Sequence, residues 1–220
     1  MPKQFIYLDL GWTLEDETQS QIDRAQQTVN CLKKYNIETT YEEILKWQED
    51  GASLFVPSVF NYALQKLNLE DSILKEIKET VQWNKKLLSL YPDTIDVLDK
   101  LSKKHALGII ANQSTGTTKR LKKYGIYNYF DVVLASDEIK ISKPDKRIFE
   151  LAINKCGYSP ENIWMVGDRI DNDIVPAKKM EWKTIRILHG YNRYQKARNK
   201  DEEADYTIKE LSEMLKIFLE

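Results

Sequence analysis

Asp9 closes the apolar run Phe5-Ile6-Tyr7-Leu8, and Asp168, Asp171 and Asp173 follow a second run, Ile163-Trp164-Met165-Val166. Between them in the chain, Lys143 stands before Pro144. Carboxylates in such places can act as nucleophiles, proton carriers or ligands for hard cations, and a lysine can offset their charge. Each residue also has an ordinary explanation. An aspartate at a strand end commonly caps a turn or a helix, and Asp168, Asp171 and Asp173 could be capping a helix that begins near Asn172. A lysine before proline is commonly a surface residue. The chemical reading holds only if the fold gathers these side chains at one place.

That depends on the elements between them. From about residue 88 onward, short apolar runs alternate with amphipathic stretches: residues 106–111, 132–135, 163–166, 184–187 and 206–208. Runs of this kind predict parallel strands buried on both faces, with helices between them. Gly125 and Gly157 suit left-handed helix ends. With residues 5–10 as a further strand, the pattern is a repeated βαβ unit, an α/β fold with a doubly wound, Rossmann-like parallel sheet. Residues 15–87 have another texture. Amphipathic segments at 20–34, 41–47, 59–67 and 73–83, with turn signals at Asn36, Gly51, Pro57 and Asn68, predict about four helices and no strand. The expected organisation is therefore an α/β core of residues 1–14 and 88–220, with an all-helical insert at 15–87.

In an open α/β sheet, ligands bind beyond the carboxyl ends of the strands, near the point where strand order reverses. Asp9-Leu10-Gly11-Trp12, Ala111-Asn112-Gln113-Ser114 and Gly167-Asp168 all fall at such ends, and Ser142-Lys143-Pro144-Asp145 precedes a helix.

These motifs, in this order, resemble the haloacid dehalogenase superfamily: a strand ending in Asp, a later isolated Lys-Pro, then a strand ending in Gly-Asp-x-x-x-x-Asp. The helical insert lies directly after the first motif, where members of that superfamily carry a type C1 cap. The resemblance implies a magnesium-dependent phosphatase. Asp9 would be the nucleophile, and Lys143 would offset charge between it and the phosphoryl group. Asp9, Asp168, Asp173 and the main-chain carbonyl of Gly11 would hold Mg2+, and main-chain N–H groups near Asn112 and Gln113 would cradle phosphate oxygens. The implied substrate is a small phosphorylated metabolite.

Composition agrees. Hydrophobic residues make up 42% and charged residues 30%, with a formal net charge of -1, so no positive field invites nucleic acid or an anionic membrane. The N-terminal apolar run is too short for a signal peptide, and no segment is long enough to span a bilayer. Cys31 and Cys156 belong to no ligand-like cluster and suit free thiols in a reducing cytoplasm. His105 and His189 show no partner pattern and are expected to be structural or surface residues.

The chain departs from the superfamily pattern at three positions. Gly11 stands where typical phosphatases carry the acid–base Asp, a group that contributes about 10²–10⁴-fold. Ala111 occupies the usual Ser or Thr position of the second motif, although Asn112 is kept and Ser114 is a possible substitute. Glu181 replaces a common glycine. A phosphohydrolase with specialised proton handling is the first reading. A catalytically weak binding or regulatory member, or a carbon–halogen hydrolase, are the alternatives. Glu15 and Asp16 are the next candidates for a proton donor.

Overall fold

A computed structural model describes residues 3–220. The chain begins with β1 (Phe5–Leu8) and β2 (Glu15–Asp16), then runs through α1 (Thr18–Lys33), α2 (Tyr41–Ser53), α3 (Val59–Gln65) and α4 (Asp71–Thr80). It continues through β3 (Ser89–Leu90), α5 (Thr94–Ser102), β4 (Ala106–Ala111), α6 (Thr117–Lys123), β5 (Val132–Ala135), α7 (Ser136–Ile139) and α8 (Lys146–Cys156). The last elements are β6 (Ile163–Gly167), α9 (Val175–Lys179), β7 (Lys183–Ile187), β8 (Tyr206–Ile208) and α10 (Met214–Leu219). Two compact units result, one of residues 1–15, 90–189 and 197–220, the other of residues 16–89 and 190–196.

The first unit is built on a six-stranded sheet in the order β5-β4-β1-β6-β7-β8, with every pairing parallel. This is the doubly wound sheet that the apolar runs predict. Alternation explains why both faces are covered. Ile6, Leu8, Leu107, Ile109, Trp164 and Val166 enter one buried cluster, while Phe5, Tyr7, Ile110, Ile163 and Met165 enter the other. Because β4 and β6 flank β1, the carboxyl ends of the three strands lie side by side, at the place where strand order reverses.

In the helical unit, Cys31, Leu32, Phe60, Leu64, Ile73, Ile77 and Val81 form the largest buried cluster. Thr40 and Glu43 form a capping box that starts α2. Asn36 and Asn68 take positive φ, as turn residues do, but Gly51 does not end a helix. It lies inside α2, and a Cβ there would stand 2.9 Å from the ring of Tyr62 in α3. Its small size serves the close approach of two helices rather than a turn. Residues 190–196, placed with the core by their position in sequence, group with the helices, where Arg193 lies 3.6 Å from Glu49.

Gly157 ends α8 in the left-handed conformation, and Glu181 adopts φ 62° in the turn before β7, at a cost of about 1 kcal/mol for a residue with a side chain. Both cysteines are free, and among the described residues no helix is long and apolar enough to cross a membrane.

His105 is buried beside the start of β1. Its Nδ1 accepts from the Gln4 main-chain N–H at 3.2 Å, so Nε2 carries the proton and donates to the carbonyl of Phe218 at 3.2 Å in α10. A second proton would displace the Gln4 bond and charge a buried ring. Burial, the main cause, holds the imidazole pKa below its ordinary value. The unfolded chain therefore takes up this proton more readily, and stability falls as pH drops through about 6.5. Urea unfolding of the wild type and of His105→Gln between pH 5 and 8 should show a shallower dependence in the variant, and parallel profiles would contradict the assignment.

Candidate active site

β1 delivers Asp9, whose main-chain N–H donates to the carbonyl of Val166 in β6 at 2.8 Å. β6 delivers Asp168, and the turn after it delivers Asp173. One ligand atom each from Asp9, Asp168 and Asp173 lies within 4.8 Å of the others. Asp168 and Asp173 are buried, and Asp9 is partly so. Asp173 sits in a single π-helical turn, Ile170–Ile174, where the Val175 N–H reaches the Ile170 carbonyl and Pro176 follows. A Cβ on Gly167 would fall 2.4 Å from the Asp173 carboxylate, so only glycine leaves room for this carboxylate against β6.

Lys143 reaches in from the loop before α8, where a cis peptide joins it to Pro144. It is buried, and its ammonium donates to Asp9 Oδ1 at 2.8 Å and Asp173 Oδ1 at 2.5 Å. Burial alone would lower its pKa, but the Asp173 and Asp9 carboxylates overcome that and hold it above the ordinary lysine value. Asp173 is pushed above the usual carboxylate range, first by burial and then by the charge of Asp9, against the pull of Lys143. The Arg169 main-chain N–H also donates to Asp173, at 3.0 Å. Asp171 is not in the trio; its carboxylate pairs with the Arg169 guanidinium at 2.5 Å.

Asn112 and Gln113 follow β4, and their contacts define their roles. The Asn112 side chain grips the main chain of Lys143 twice. Its Nδ2 donates to the Lys143 carbonyl, and its Oδ1 accepts the Lys143 N–H, each at 2.7 Å. The Gln113 N–H, offered to phosphate on the sequence reading, donates to Ser136 Oγ at 3.1 Å. Ala111 ends β4 with its side chain in the core. Gly11 lies in the turn after β1, bridged to Glu15.

Three residues here escaped the sequence reading. Ser136 anchors Gln113. Arg120 in α6 pairs with Glu15 at 2.6 Å. Arg186 neighbours Gly167 across the β6–β7 ladder; burial lowers its pKa and the Asp168 carboxylate opposes that. None belongs to a recognisable motif, and only the fold brings them to the site. Glu15 is poorly placed as a proton donor, because its buried carboxylate is occupied by Arg120. Asp16 accepts the Thr18 N–H at 2.9 Å at the start of α1.

Residues 6–187 match the family described as haloacid dehalogenase-like hydrolase. The chain belongs to that family. It is 38% identical over 133 residues to a glyceraldehyde 3-phosphate phosphatase from Methanocaldococcus jannaschii, a match spanning 60% of this chain and 57% of that protein. A glyceraldehyde 3-phosphate phosphatase from Pyrococcus furiosus is 28% identical over 221 residues, 96% of this chain and 91% of that protein. A haloacid dehalogenase-family hydrolase from Bacillus subtilis, solved bound to magnesium, shares the fold. The TM-score is 0.72 at 18% identity, and the alignment covers 99% of both chains.

In this chain, Gly167 answers to its close contact with the Asp173 carboxylate. Gly167→Ala should destabilise the protein by about 1–3 kcal/mol, as overpacking does. Adding Asp173→Ala should recover part of that loss, and additive losses in urea unfolding would show that the carboxylate is not the obstacle.

Proposed function

We propose that the chain is a magnesium-dependent hydrolase of small phosphate monoesters, working through a phosphorylated Asp9. One observation carries this reading: three carboxylates converge at adjoining strand ends, and a buried lysine bridges two of them. The donor set suits magnesium. It offers hard oxygen ligands, and Lys143 offsets only part of the carboxylate charge. Asp9, Asp168 and Asp173, with the Gly11 carbonyl, would hold the ion. When bound, it would neutralise charge on the phosphoryl group.

The chain's own residues supply the rest. A carboxylate oxygen of Asp9 attacks phosphorus, the ester P–O bond breaks, and the alkoxide departs with the bonding pair and takes a proton from solvent. Water then hydrolyses the acyl phosphate, releasing inorganic phosphate and restoring Asp9. Lys143 holds Asp9 in place and offsets charge as the anionic group approaches. Residues 15–87, the insert after the first motif, are the element expected to restrict substrates to small metabolites.

Gly11 favours a second reading, a member that binds metal and phosphate but turns over poorly. Both readings make the same starting demand, that Asp9→Asn abolish whatever hydrolysis exists and that chelating magnesium do the same. A panel of p-nitrophenyl phosphate, acetyl phosphate, glyceraldehyde 3-phosphate and a folded phosphoprotein separates them. The hydrolase reading expects turnover of the small esters and none of the phosphoprotein. Magnesium-dependent phosphate binding without turnover of any ester would favour the binding reading. Full activity in Asp9→Asn would sink the nucleophile assignment.

Without an acid at position 11, aryl and acyl phosphates should react much faster than the alkyl ester. Gly11→Asp should raise the alkyl rate more than the aryl rate, by about ten-fold or more. Equal gains on both would mean that another group already donates the proton.

A further inference from the structure

Two of the loops at the strand ends share one buried anchor. Glu15 is fully buried, and Arg120 grips its carboxylate through Nε at 2.6 Å and Nη2 at 3.2 Å. The same Nη2 donates to Gln113 Oε1 at 2.8 Å. Through its main chain, Glu15 closes the turn that follows Asp9. Its N–H donates to the Leu10 carbonyl at 2.8 Å, and its carbonyl accepts from Trp12 N–H at 2.9 Å, with Gly11 inside the turn. Gln113 is the neighbour of Asn112, which clamps Lys143.

A buried ion pair adds little net stability over apolar side chains of similar size, because desolvation consumes most of the attraction. A guanidinium, however, presents its donors in a rigid plane and fixes several acceptors relative to one another, as an ammonium cannot. We infer that Arg120, held by Glu15, is a positioning residue for the phosphoryl site, locking the Gly11 turn and the Asn112–Gln113 loop into one frame. This rests on the phosphate-ester reading of the site. It requires no contact between Arg120 and substrate.

The test compares the wild type with Glu15→Met/Arg120→Met, Arg120→Lys and Gln113→Leu. Four quantities are read: Tm, the Kd for inorganic phosphate by calorimetry in magnesium, and kcat and KM on p-nitrophenyl phosphate. The double variant should keep or raise Tm, since no buried charge is left unpaired, yet weaken phosphate about ten-fold or more and lower kcat/KM to match. Arg120→Lys should keep Tm and still lose affinity, because an ammonium cannot serve both Glu15 and Gln113 in plane. Gln113→Leu should weaken phosphate alone and add little in the double-variant background. A stable double variant with wild-type phosphate affinity and kcat/KM would overturn the inference. If the double variant does not fold, wild-type phosphate affinity in both Arg120→Lys and Gln113→Leu overturns it equally. A wild type that binds phosphate but hydrolyses nothing refutes only the hydrolase reading, and one that binds no phosphate refutes both.

Discussion

The ammonium of Lys143, held between Asp9 and Asp173, is the contact on which the arrangement of the site depends. Carboxylates drawn from water at the ends of two adjacent strands repel one another, and desolvation penalises each charge. A cation must be inserted among them, and in this chain it comes from a loop well separated in sequence. Each end of that loop's critical residue is therefore fixed: the main chain by Asn112, the ammonium by two carboxylates. The parallel order that sets β1 between β4 and β6 brings Asn112, Asp9 and Asp168 to neighbouring strand ends.

Charge balance then shapes the chemistry. Lys143 bridges two of the three clustered carboxylates, and Arg186 lends its field to Asp168. The remaining negative charge is suited to a divalent cation, whereas a further lysine would close the site to one. Gly11 removes a side chain but no main-chain atom. On the proposed reading, the turn keeps a carbonyl for the metal and lacks a side chain to carry a proton.

Rigidity is imposed by polar ties rather than by packing alone. Asn112 to Lys143, Arg120 to Glu15 and Gln113, and Ser136 to Gln113 each tie the segments that follow β1 and β4 to a loop or helix from elsewhere in the chain. Such polar ties specify geometry because a misplaced partner leaves a buried group, such as the Glu15 carboxylate, unsatisfied, at a cost of roughly 1–3 kcal/mol.

The continuous apolar runs determined the parallel sheet, since a strand buried on both faces has few other places to lie. Asp9 and Asp168 were legible because they stand at the ends of two of those runs, and Lys143 and Asp173 because they follow in a recognisable order, one before Pro144 and the other five residues after Asp168. Asn36, Asn68 and Gly157 were legible as turn and helix-end residues from their tolerance of positive φ. Only the tertiary structure decided the rest. Gly51 reads as a turn, yet it is a helix-packing residue, because the Tyr62 ring that requires it belongs to another helix. Glu15 reads as a spare acid, but its carboxylate is occupied by an arginine 105 positions away. Local pattern fixes which residues lie on a strand or at its end. Which partner meets a side chain there depends on loops whose paths are set by long-range hydrogen bonds, and these leave no periodic trace in the sequence.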